Sequence, residues 1–123
     1  MLLSISSGSF AAPLEPLPEF SSNPFTLGIA SGAIMEDSVI LWTRLAPDPL
    51  AAAGGMPPVS VPVQWELATD SSMSRIVRQG EVQARQSLAH SVHIDVKGLE
   101  PSREYWYRFS VSTQTSPTGK TKT

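Results

Sequence analysis

The chain has 123 residues, 41% of them hydrophobic and 16% charged, with a formal net charge of −2. That length suits one domain with a modest core, the composition is not that of a disordered chain, and the slightly acidic balance argues against nucleic acid as the main partner, since phosphate binding needs clustered Lys and Arg. Without cysteine there are no disulfides, Cys–zinc sites or Cys nucleophile, although the compartment stays open, and no run of about 18 apolar residues predicts a membrane span.

Residues 1–24 read as leader and linker. The stretch from Met1 to Pro13 is small and apolar, and Phe10-Ala11-Ala12 is shaped like a cleavage site. The basic n-region of a signal peptide is missing, and no Lys or Arg precedes Arg44. A truncated signal peptide and a plain disordered leader are the two readings. Pro13, Pro16, Pro18 and Pro24 bar a hydrogen-bonded ladder, so this stretch is a linker or an extended arm.

From residue 25 the pattern is β. Phe25, Leu27 and Ile29 alternate with smaller residues, predicting a first strand over 25–32 with a bend permitted by Gly32. Residues 38–44 carry apolar side chains on both faces, as a covered central strand does. A Pro- and Gly-rich loop spans 47–58. Val61, Val63, Trp65 and Leu67 then alternate with polar or small residues, a half-buried strand whose Pro62 marks an edge or a strand start. Thr69-Asp70-Ser71-Ser72 is turn chemistry. Ile76, Val77 and Val82 around Gln79-Gly80 predict a short hairpin or kinked strand, with a helical turn over 72–78 as the alternative.

His90, Val92, Ile94 and Val96 form the next alternating strand. Gly98 and Pro101 punctuate a turn, after which Tyr105, Tyr107, Phe109 and Val111 place an apolar row on one face. A Tyr just past such a turn can bury its ring and bond its hydroxyl to the turn backbone, the tyrosine corner of immunoglobulin-like sandwiches. A turn at 116–119 precedes a last strand over 120–123. The expected fold class is all-β, an immunoglobulin or fibronectin type III-like sandwich of about seven strands over residues 25–123.

No constellation for catalysis is found. His90 and His93 fall on opposite faces of a strand and cannot share a metal, and Asp95 shares the face of His93 as a surface pair. Gly119-Lys120-Thr121 resembles the end of a phosphate-binding loop, but Gln114 stands where its first Gly belongs. The Asp residues read as turn caps, no G-x-S-x-G elbow occurs, and Arg75, Arg78 and Arg85 read as solvated. The catalytic, cofactor-binding and metal-ligating sets are therefore none. Trp42 and Trp65 are expected in the core. Trp106, with Arg108 beside it, faces away from Tyr105 and Tyr107 and is the candidate interface.

Six segments, taken in order, resemble one family. They are Phe25-Thr26-Leu27-Gly28-Ile29-Ala30-Ser31-Gly32, Asp37-Ser38-Val39-Ile40-Leu41-Trp42-Thr43-Arg44-Leu45, Val63-Gln64-Trp65-Glu66-Leu67-Ala68-Thr69-Asp70, Val96-Lys97-Gly98-Leu99-Glu100-Pro101, Tyr105-Trp106-Tyr107-Arg108-Phe109 and Ser116-Pro117-Thr118-Gly119-Lys120-Thr121. Together they resemble the N-terminal domain of PhoD-like alkaline phosphatases (the alkaline phosphatase D family), a fibronectin type III or immunoglobulin-like module. The family usually follows Ser-Gly with Asp-Pro, where this chain has Ala33-Ile34. The resemblance implies a non-catalytic module of a secreted or periplasmic phosphoesterase. Its partner would be a C-terminal metallophosphatase domain, in cis or as a separate chain, whose calcium and iron ligands would all lie beyond Thr123. The alternatives are a stand-alone binding or interaction module and a functionless gene fragment. A continuation rich in metal ligands past Thr123 in the genomic sequence would support the phosphatase reading.

Overall fold

A computed structural model describes Phe20 and residues 22–123; the expected signal peptide or leader lies outside the described residues. These residues form two antiparallel sheets with one shared core. The strands are β1 (Ile29–Gly32), β2 (Val39–Arg44), β3 (Val61–Ala68), β4 (Ile76–Ala84), β5 (Ser91–Val96), β6 (Glu104–Val111), β7 (Gln114–Thr115) and β8 (Gly119–Lys122). One sheet has the order β1-β2-β5. The other runs β4-β3-β6, and the far edge of β6 is shared by β7, opposite Ser110 and Val111, and β8, opposite Glu104 to Tyr107. Counting β7 and β8 as one interrupted strand leaves the expected seven. Two short 3₁₀ turns, Ala52–Gly55 and Gln86–Leu88, are the described helical residues.

The core follows from alternation. Val39, Leu41 and Thr43 of β2, Val61, Val63 and Leu67 of β3, Val92 and Val96 of β5, and Tyr105, Tyr107, Phe109 and Val111 of β6 all point between the sheets and are buried. Burying each large apolar side chain contributes about 1.5–3 kcal/mol. Phe109 sits at the centre with no exposed area. Phe25 stacks on it at 6.4 Å and Tyr107 meets it edge-on at 6.2 Å between centroids. The tyrosine corner is present: Tyr105 is buried, and the backbone N–H of Glu100 donates to its hydroxyl at 2.9 Å. Pro62 lies at the start of β3, before pairing with β6 begins at Gln64, so its missing donor interrupts nothing on that side.

Three elements differ from expectation. The first strand begins only at Ile29. Phe25 to Gly28 form a turn closed by the Gly28 amide on the Phe25 carbonyl at 3.2 Å, which turns Phe25 into the core and leaves Leu27 45% exposed. Of the alternatives for residues 76–82, the strand holds and the hairpin and the helical turn over 72–78 do not: β4 runs through Gln79-Gly80 without a turn, with a register shift opposite Leu67 and Ala68. Gly80 is there because the indole of Trp65, its partner across the ladder, lies on it; a Cβ at Gly80 would sit 2.9 Å from the indole nitrogen. Trp42 is not a core residue. It stands half-buried on the outer face of β2, edge-on to His93 at 6.3 Å. Trp65 faces inward and is half-buried against the core.

The Pro-rich stretch ends as an arm along β7. The Asn23 side-chain amide donates to the Thr115 carbonyl at 3.0 Å, the Ala46 amide donates to the Pro24 carbonyl at 2.8 Å, and Phe20 packs on the core.

Candidate interaction surface

Trp106 and Arg108 stand on the outer face of the larger sheet, because the residues on either side of each are buried. Trp106 lies opposite Ala68 of β3 and Lys120 of β8. The Lys120 ammonium is 5.7 Å from the indole centroid, within range of cation–π attraction, and 2.9 Å from the Glu104 carboxylate. Arg108 Nε donates to Glu66 Oε1 at 2.7 Å, with the two side chains 35% and 28% exposed. Gln64 donates to Glu81 at 2.8 Å. The face therefore carries two ion pairs and a Gln–Glu hydrogen bond around one half-buried indole.

The other titratable groups serve the fold. His90 is buried in a left-handed backbone conformation (φ 56), and its Nε2 lies 2.7 Å from the Val59 carbonyl, tying the loop before β3 to the start of β5. His93 rests on Trp42, and Asp95 pairs with Lys97 at 3.6 Å rather than with His93. Asp70 accepts from the hydroxyls of Ser72 and Ser74 and from the amides of Ser74 and Arg75. These bonds hold its carboxyl well below the usual carboxylate range. Burial pushes the Tyr107 phenol up, with Ser31 beside it acting the other way. Among the described residues no three His, Cys, Asp or Glu side chains converge as metal ligands. Calcium and iron find no ligand cluster among these residues, and five of the carboxylates, Glu66, Asp70, Asp95, Glu100 and Glu104, are engaged by a neighbour in the chain. Gly119-Lys120-Thr121 is strand, not a phosphate loop. Among the described residues no helix is long and apolar enough to cross a membrane.

A second surface was not anticipated. At the base of the sandwich, the turn between β1 and β2 exposes Ile34 by 49% and Met35 by 63%. Beside it a cleft of about 280 Å³ is lined by Ser31, Ile34, Glu104, Lys120, Thr121 and Lys122. The Thr121 side chain faces the interior, where its hydroxyl is buried without a hydrogen-bond partner. The signal in the sequence is two adjacent apolar residues in a turn, where polar residues are the rule.

Comparison with known proteins places these features in a family. Residues 11–123 match the family model of the PhoD-like phosphatase N-terminal domain. The match thus begins within the stretch read as leader and linker. Alkaline phosphatase D of Bacillus subtilis (strain 168) is 54% identical over 121 residues, 98% of this chain and 21% of that protein. A solved structure of PhoD superposes with a TM-score of 0.83 at 59% identity, covering 86% of this chain and 20% of that one. The sensor domain of the anti-sigma factor RsgI4 from Pseudobacteroides cellulosolvens shares the fold alone, with a TM-score of 0.55 at 13% identity over 78% of this chain and 90% of that one. The chain spans about a fifth of the length of the phosphatase relatives.

Proposed function

Because the chain belongs to the PhoD-like phosphatase N-terminal domain family, we propose that it is the non-catalytic β-sandwich module of a secreted or periplasmic alkaline phosphatase or phosphodiesterase. It supports a metal-dependent catalytic domain that follows it. Calcium and iron belong to that following domain.

The observation that carries this reading is the pairing of high identity with partial coverage: 54% identity over nearly the whole chain, against 21% of the relative. The chemistry of the module agrees. Asp70 is taken up in a turn, His90 in a loop tie, and Glu66, Asp95 and Glu104 in ion pairs.

The test is an assay of the isolated chain on a phosphate ester with calcium and iron added. We expect no turnover above the uncatalysed rate. Turnover that survives repurification would move the chemistry into this chain and end the proposal.

A further inference from the structure

We infer that the base of the sandwich, centred on Ile34 and Met35, is the surface on which the domain following Thr123 docks. This rests on the proposed function above and adds the place of contact.

Two observations converge. The first is where the chain leaves. Thr123 is pinned to the turn between β5 and β6: its amide donates to the Arg103 carbonyl at 3.0 Å and its hydroxyl to the Glu100 carbonyl at 2.6 Å. The relatives are about five times longer than this domain, so their remaining chain starts from this end. The second is what stands beside the exit. The Leu99 amide donates to the Asp37 carbonyl at 2.9 Å, which ties the β1–β2 turn to the same β5–β6 turn. Ile34 and Lys122 line one cleft. The exposed apolar pair is therefore a neighbour of the first residues of any following domain.

The rim suits a contact within one chain. Arg103 pairs with Glu100, and Glu104 with Lys120, while Lys122 in the cleft and Glu36 beside Met35 make no ion pair among the described residues and are open to charges of the docking domain. A small apolar centre in a polar, charged surround is the make-up of inter-domain interfaces, which are more polar than obligate ones. The opposite end also exposes apolar side chains, Leu50 by 97% and Leu88 by 61%. It lies a full strand length from Thr123, and the chain does not leave there.

The experiment is amide hydrogen exchange on two proteins: this chain alone, and this chain fused ahead of the remaining sequence of the Bacillus subtilis relative. The expected result is at least about tenfold slower exchange over residues 33–36 in the fused protein. The double variant Ile34→Glu, Met35→Glu should abolish that slowing and leave the melting temperature of the isolated chain unchanged, since both side chains are exposed. Slowing confined to the Trp106 strand or to the Leu50 and Leu88 end, or none at all, overturns the docking face. A fused protein that hydrolyses a phosphate ester while the base stays unprotected refutes this surface and leaves the proposed function standing, which falls only if the isolated chain turns over.

Discussion

Gly119 is the residue whose identity the packing dictates most tightly. A Cβ there would meet the Tyr107 ring at 2.6 Å, and Tyr107 is buried edge-on to Phe109 in the core. The ring cannot swing aside without opening the core, so Gly119→Ala should cost about 1–3 kcal/mol in urea unfolding. Gly80→Ala meets the Trp65 indole at 2.9 Å, but that indole is half-buried and has room to tilt, so it should cost less. Equal costs, or the reverse order, would show that Tyr107 yields as easily as Trp65. The neighbouring Tyr105 supplies a sharper test of a single bond. Tyr105→Phe keeps the ring and leaves the Glu100 amide without its acceptor, which should cost about 0.5–1.5 kcal/mol. An unchanged midpoint would mean that the corner stabilises through the ring alone.

Among the elements, the turn joining β3 to β4 depends on one carboxylate. Asp70 organises it by accepting from Ser72, Ser74 and Arg75, and those bonds depress its pKa. A depressed folded value means stabilisation that is complete above the unfolded value of about 3.9 and is lost as pH falls from there toward the folded one. The carboxyl is exposed, so the effect is screened and small. Melting curves of the chain and of Asp70→Asn should differ near neutral pH and converge below about pH 4. A gap that persists in acid would assign the difference to geometry instead of charge. This turn was readable in advance, because Asp and Ser bond their own backbone whatever lies around them. The alternating strands β3, β5 and β6 were readable for the same local reason, since burial of one face imposes a period of two. Other features depend on contacts from far along the chain. Gly80 looked like a turn until Trp65, fifteen positions earlier, was seen to lie on it. Phe25 looked like part of a strand, yet its partner is Phe109. Trp42 looked like core because β2 is apolar on both faces, and only the register shows its neighbour to be His93. Trp106 and Arg108 were placed on an outer face correctly by parity, but their partners Lys120 and Glu66 come from two other strands. The base of the sandwich was missed because an exposed apolar turn becomes informative only once the chain exit is known to lie beside it.

At the scale of the whole molecule, the core is continuous across both sheets, and the arm, the loop before β3 and the last strand are all tied to it by hydrogen bonds. One core of this size unfolds as one unit. The isolated chain should therefore show a single cooperative transition, with Trp fluorescence and far-ultraviolet circular dichroism giving the same midpoint. A chelator provides the more telling measurement. If the metals of the parent enzymes belong to the following domain, none contributes to the folding free energy of this one, and a metal-linked gain of RT ln(1 + [L]/Kd) is absent. Excess chelator should then leave the melting temperature of this chain unchanged within about 1 °C, a shift worth only a few tenths of a kcal/mol for a domain of this size. The fused protein described above should lose its hydrolytic activity under the same treatment. A fall in the melting temperature of the isolated chain that added calcium or iron reverses would put a metal inside the sandwich. It would require carboxylates now scattered over this domain to converge on an ion, and would overturn the proposed division of labour between the two domains.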